Sequence, residues 1–353
     1  MDINHIFSMY DPRPPESYDF FDTSRGKDDF RQVYLVAWKD KKLAVKIASN
    51  DFTTSERVIA WQNTIRAYRS LGFYSPQIVP NRNRSLSERV LFDNKKCIVY
   101  AEEYSKFKTA EQHGVKRFDH GKKYPYHESA IRFLATIGFA NLKTADFPSG
   151  ICLFDTFSPS DPCDEILETA LEFKHLILSR YPVYEYRFSQ IWERFLENKE
   201  KLSKVYPQLP RSVFQADLNP ANILLNDSLE FVGVLDYNLC GKDTVINCIF
   251  REAFTDFYED VPWDKEKNVF YDREVNEKAL SSFLLNLDLM ARYYPFSEIE
   301  QDAAILLYRY LRPFWWQPLL ALQQAQTIEQ VDQILSWIEK EQVREIDFKT
   351  IMT

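Results

Sequence analysis

The spacing of apolar residues changes character along this chain of 353 residues, and that change limits what it can fold into. Between Gln32 and Tyr104 most patterned stretches read as strands: Gln32 to Trp38, Lys42 to Ala48, Arg89 to Phe92 and Lys96 to Tyr104 are rich in β-formers. Lys39-Asp40-Lys41 and Asp93-Asn94 supply turns between them. One helix interrupts the strands. Thr53-Thr54-Ser55-Glu56 has capping-box spacing, and Val58, Trp61, Ile65, Tyr68 and Leu71 recur at helical intervals up to Gly72.

Beyond Tyr104 the period is helical. His127 to Leu142, Asp164 to Arg180, Glu185 to Tyr206, Thr244 to Tyr258, Arg273 to Tyr293, Ser297 to Tyr310 and Thr327 to Gln342 all space their apolar residues for helices. One β-rich island, Ser212 to Leu235, breaks the run, with a turn at Asn226-Asp227. The expectation is an α+β chain with a small β-rich lobe over residues 1–104, whose first 25 residues are irregular, and a helical lobe over 105–353.

Composition narrows the function. A hydrophobic content of 45% with 15% aromatics suits a packed globular chain, and no run approaches the roughly 18 apolar residues of a membrane span. Met1 to Tyr10 carries neither a basic nor an apolar segment, so a cytoplasmic protein without a membrane partner is expected. A net charge of -8 argues against nucleic acid as a partner. Cys97, Cys152, Cys163, Cys240 and Cys248 are odd in number and lack CxxC spacing, which points to reduced thiols. The five histidines show no ligand spacing.

The chemistry concentrates in the β-rich island. Phe214-Gln215-Ala216-Asp217-Leu218-Asn219-Pro220-Ala221-Asn222 sets an aspartate five residues before an asparagine, and an apolar strand follows at once. Asp236 ends the next apolar run, Val232-Gly233-Val234-Leu235. Phosphoryl transfer calls for such a set: one carboxylate to orient and deprotonate an acceptor hydroxyl, and an amide oxygen plus a second carboxylate to hold magnesium on nucleotide phosphates. Asp and Asn also cap turns, but here three polar positions and two strands coincide.

These residues resemble the aminoglycoside phosphotransferase and choline kinase-like superfamily, whose catalytic loop reads H-G-D-x-H-x-x-N and whose metal motif reads I-D-F/W. The resemblance implies a two-lobed protein-kinase-like fold and an ATP- and Mg2+-dependent transfer to a hydroxyl of a small molecule. It implies Asp217 as the catalytic base or the residue that orients the acceptor, and Asn222 and Asp236 as magnesium ligands. Leu43-Ala44-Val45-Lys46 resembles the V-A-I-K strand, with Ala44 and Lys46 on the nucleotide face. Glu103 and Tyr104 resemble the lobe-connecting hinge, whose backbone amides would pair with adenine.

The pattern is departed from in places. Gln215 and Asn219 stand where the motif has histidines, and Ser24-Arg25-Gly26-Lys27 carries the one glycine where a phosphate-cradling loop is expected. A glutamine can donate hydrogen bonds to nearby carbonyls as a loop scaffold. For the lysine's usual helix partner, Glu56 is the only acidic residue available, while family spacing points nearer Gln62 or Asn63. The run Arg312-Pro313-Phe314-Trp315-Trp316 could line a substrate pocket but reads first as packing between C-terminal helices, and Glu252, Asp256, Glu259 and Asp260 could attract a cationic acceptor but read first as a solvated face. Two function classes meet these features: an active small-molecule kinase, and a nucleotide-binding regulatory protein that keeps the fold without efficient turnover.

Overall fold

The computed structural model describes residues 2–26, 28–115, 118–119, 122–123, 126–254 and 273–353. Its N-terminal lobe is an antiparallel sheet of five strands in the order β1-β2-β3-β5-β4: β1 Ser17–Asp22, β2 Phe30–Trp38, β3 Lys41–Ser49, β4 Ser87–Phe92 and β5 Lys95–Glu103. Four of them match the sequence expectation within two residues. Asp93 and Asn94 adopt positive φ of 48° and 59°, as a two-residue hairpin turn between twisted strands requires.

The first 25 residues are not irregular. They contain a helix, α1 (Ile3–Ser8), and the edge strand β1. All six β1 residues are exposed, so no inside-outside alternation marked the strand; main-chain pairing from Ser17↔Ala37 to Asp22↔Gln32 holds it instead. Ile6 and Phe7 of α1 cover the outer face of the sheet, packing with Val36, Trp38, Val45, Ile47 and Val99.

Alternation along β3 sends Leu43, Val45 and Ile47 into that outer core. Ala44 and Lys46 therefore face the opposite side, towards the cleft between the lobes. The helix α2 (Ser55–Ser70) buries Val58, Trp61, Ile65 and Tyr68 in the main core of the helical lobe. Its cap is Thr54, whose side chain accepts from the Arg57 amide, so the spacing from Thr53 to Glu56 is not used as a capping box.

Helices at His127–Ala140, Glu165–Arg180, Glu185–Val205, Val245–Ala253, Arg273–Ala291, Glu298–Leu311 and Ile328–Gln342 build the second lobe. The helix expected to reach Tyr258 ends at Ala253 with its C-cap at Phe254; residues 255–258, Asp256 among them, lie outside the described residues, as do Glu259 and Asp260. Trp316–Gln324 is a further helix, where the sequence reading had only an aromatic run. Among the described residues no helix is long and apolar enough to cross a membrane.

The β-rich island is not one hairpin sheet. Arg211–Phe214 pairs with Gly241–Thr244, while Ile223–Leu225 lies between Phe231–Val234 and Lys108–Thr109. The catalytic-loop sequence spans the gap between these two sheets. The linker after α2 ties the lobes together: Tyr74 bridges to Gly233, its amide donating to the Val232 carbonyl at 2.8 Å while its carbonyl accepts from the Val234 amide at 3.1 Å. A Cβ at Gly233 would lie 1.7 Å from the Tyr74 oxygen, so only glycine permits that approach. On the other side, the Arg57 guanidinium sits between the rings of Phe147 and Phe157 at 4.4 and 4.3 Å. The Ser160 amide donates to Asp51 at 2.7 Å.

Candidate active site

The loop from Gln215 to Asn222 is shaped by its own side chains. Gln215, almost fully buried, donates from Nε2 to the carbonyls of Leu235 (3.0 Å) and Asp236 (2.6 Å), and its Oε1 accepts the Asp217 amide (2.8 Å). One side chain thus fastens the catalytic loop to the segment carrying the second aspartate, which is the scaffold role foreseen for it. Ala216 and Asp236 both sit at positive φ, 68° and 60°. That conformation is strained for a residue with a Cβ and persists where the surroundings enforce it, commonly at functional sites.

Two amides hold the Asp217 carboxylate. Asn219 donates to Oδ1 at 2.7 Å and Asn222 to Oδ2 at 2.9 Å. Burial raises the proton affinity of Asp217 above the usual carboxylate range, the Asn219 hydrogen bond opposes that rise, and nearby Asp236 adds to it. The net direction makes Asp217 a better proton acceptor than a solvated carboxylate. Asn219, standing where the motif has its second histidine, fixes the orientation of the Asp217 carboxylate.

Asn222 uses its Nδ2 on Asp217, which leaves its Oδ1 as an acceptor. The Leu235 amide donates to the Asn222 carbonyl at 2.9 Å, keeping the Asn222 and Asp236 segments side by side. Among the described residues no three His, Cys, Asp or Glu side chains form a metal cage. Magnesium needs less: it is commonly bound by one or two protein oxygens, with phosphates and water completing the shell. The Asn222 amide oxygen and the partly exposed Asp236 carboxylate fit that demand.

Lys46 meets Glu102 of β5, Nζ to Oε1 at 2.9 Å, and Asp236 at 3.7 Å. Burial works against its charge, but Glu102 first, then Tyr100 and Asp236, raise its proton affinity overall, so the ammonium stays charged. The helix partner expected from the resemblance is absent. Glu56 lies exposed near Arg89 at 4.0 Å, and Gln62 accepts the Ile78 amide at 2.7 Å. Sequence reasoning missed Glu102; strand parity would have placed it with Tyr100 on the Lys46 face had the β3–β5 register been known.

Three cavities meet around these groups. One of about 630 Å³, walled by Val33, Leu35, Ala44, Pro76 and Leu235, contains Lys46 and Tyr104 and ends at Asp236. Its Glu103 side chain turns away to accept from Arg69 and the Gln77 amide. The amides of Glu103 and Tyr104 donate to the carbonyls of Gln77 (2.8 Å) and Lys42 (3.3 Å), so the two hinge amides expected to meet adenine are engaged within the protein. A second chamber of about 530 Å³ holds Asp217 and Asp236 among many carboxylates, including Asp28, Asp51, Asp161 and Glu168. A third slot of about 310 Å³ also reaches Asp217 and is lined by Phe133, Leu134, Trp315 and Trp316, so the aromatic run has a pocket face besides its packing.

No family model matches the chain, and no curated protein matches it. Solved structures do. A microcompartment-associated aminopropanol kinase covers 96% of this chain and 94% of its own length at 10% identity, with a TM-score of 0.52. An amicoumacin kinase in complex with AMP-PNP, Ca2+ and Ami covers 99% and 96% at 14% identity, with a TM-score of 0.53. The chain has a two-lobed kinase-like fold. That is the fold of these two kinases, and the one the resemblance had implied.

Proposed function

We propose that this protein transfers the terminal phosphate of ATP to a hydroxyl of a small, amine-bearing molecule. The observation that carries the reading is the Asp217 carboxylate, held by Asn219 and Asn222 where the acidic chamber and the aromatic slot meet. The nucleotide base would occupy the apolar cavity beside Ala44 and Leu235, with Tyr104 at its rim and Lys46 on the phosphates. Asn222 and Asp236 would hold magnesium, which supplies charge neutralisation on those phosphates. Asp217 orients the acceptor hydroxyl and takes its proton as oxygen attacks phosphorus. The neighbouring carboxylates favour an acceptor with positive charge. Burial first, and then the neighbouring Asp161, Glu165 and Glu172, raise the proton affinity of Glu168.

The test is a magnesium-dependent ATP turnover screen across amino alcohols, aminoglycosides and uncharged alcohols of similar size. Turnover restricted to amine-bearing hydroxyl compounds supports the proposal. Transfer only to uncharged alcohols removes the amine from it. Magnesium-dependent ATP binding with no transfer to any acceptor favours the regulatory alternative.

A further inference from the structure

The chamber around Asp217 poses an electrostatic problem for the reading above, on which this inference rests. A terminal phosphate must arrive where Asp217 and Asp236 meet, since Asp236 borders both the nucleotide cavity and the acidic chamber. Most of the charged side chains lining that place are carboxylates, and a phosphate bearing close to two negative charges is repelled by them. Two guanidinium groups also line the chamber, Arg25 and Arg31. Arg31 is committed: Asp29 pairs with it at 2.8 Å. Arg25 has no carboxylate partner among the described residues.

The backbone that carries Arg25 is held in place. It lies in the connection between β1 and β2, where the Thr23 amide donates to the Arg31 carbonyl at 2.9 Å and the Arg25 amide to the Asp29 carbonyl at 2.8 Å. Ser24 fastens the same turn, its Oγ accepting the Arg31 amide at 3.0 Å, while the Ser24 amide donates to Asp22 at 3.0 Å. Gly26 follows at φ +73°, turning the chain back. Arg25 thus has a braced main chain and a guanidinium not committed to any ion pair within the described structure. Its charge also acts on Asp217, where it opposes the rise in proton affinity.

We propose that Arg25 is a catalytic residue that contacts the terminal phosphate of bound Mg-ATP from the β1–β2 connection. A loop with a single glycine cannot surround a phosphate with backbone amides as a glycine-rich loop does, and a planar, always-charged guanidinium serves the same end with a side chain. In the transfer step the bond from the terminal phosphorus to the oxygen bridging to ADP breaks, and its electron pair leaves with ADP. The acceptor oxygen forms the new bond to phosphorus, and its proton goes to Asp217. Arg25 balances the charge on the non-bridging oxygens throughout.

The experiment is calorimetric titration of Mg-ATP and Mg-ADP into the wild type, Arg25→Ala and Arg25→Lys, with circular dichroism of each variant. Arg25 is exposed and supports no core packing, so both variants are expected to keep the wild-type spectrum. Arg25→Ala should weaken Mg-ATP by about tenfold or more, the scale of a hydrogen bond to a charged group, and leave Mg-ADP within about twofold. Arg25→Lys should fall between. Equal weakening of both nucleotides, or unchanged Mg-ATP affinity, overturns the role. A wild type that binds neither nucleotide overturns the phosphotransfer reading itself, and this assignment with it.

Discussion

Lys46 Nζ lies 2.9 Å from Glu102 Oε1, so the charge that faces the cavity beside Ala44 and Leu235 is positioned from within the sheet and not from α2. Ala44 pairs with Glu102 and Lys46 with Tyr100 across β3 and β5, which sets the two side chains diagonally on one face. A movement of α2 would leave this ion pair intact. The lysine position is therefore tied to the strand register.

The pair should show itself in a double-mutant cycle. Glu102→Gln is expected to cost about 1–3 kcal/mol, as for a lost hydrogen bond between charged groups, and to slow ATP use because Lys46 loses its anchor. Lys46→Met should leave the protein folded, abolish productive ATP use and leave a buried carboxyl without its cation. Combining both changes should cost less than their sum, with a coupling above about 1 kcal/mol in chemical denaturation. Additive costs would show that the contact is not energetically coupled.

Gln215 is expected to be structural and catalytic at once. Gln215→Ala removes two donors to carbonyls and the acceptor for the Asp217 amide in a buried place, so stability should fall by roughly 3 kcal/mol. Gln215→His can still donate to one carbonyl and accept the amide, and should recover more than half of that loss in a thermal melt. A histidine variant no better than alanine would contradict the scaffold role.

Asp217→Asn keeps the size of the side chain and removes the base. Transfer should slow by roughly a hundredfold or more, with ATP affinity within a few-fold of wild type. The pH dependence follows from direction: a protonated Asp217 cannot accept the hydroxyl proton, so turnover falls as pH falls. Because burial raises its proton affinity, that fall should begin above the pH at which an ordinary solvated carboxylate titrates. A profile that stays flat down through the ordinary carboxylate range would remove Asp217 as the base.

Asp236 sits at φ 60°, which asparagine tolerates better than alanine, so Asp236→Asn is the cleaner variant. Mg-ATP should raise the melting temperature of the wild type, since a ligand that binds only the folded state stabilises it by mass action. Asp236→Asn should lose the magnesium-dependent part of that shift. An unchanged magnesium dependence would show that the Asp236 charge is not needed to hold the ion.

Gly233→Ala tests the strap between the lobes. The added Cβ would meet the Tyr74 main chain, which cannot move as a side-chain tip can, so a loss of roughly 3 kcal/mol or more is expected, at the upper end for overpacking. Denaturation midpoints will decide it, and an alanine variant as stable as wild type would show that the strap yields.

Much of this site could be read from the linear chain because it is local. Asp217 and Asn222 share one loop, Gln215 binds the backbone just before and at Asp236, and the alternation Leu43, Val45, Ile47 against Ala44 and Lys46 holds for any strand half-buried in a lobe. Turn residues such as Asp93 and Asn94 carry their conformation in their own side chains. Other features needed the tertiary structure. Glu102 became the partner of Lys46 through a register between strands separated by α2 and β4, and no local pattern encodes such a register. The edge strand β1 hid because all its side chains are exposed, and with it went the placement of Arg25. Local propensity and periodicity decide which segments form strands and turns; which side chains meet across the cleft depends on the packing of distant segments, which the folded core alone determines.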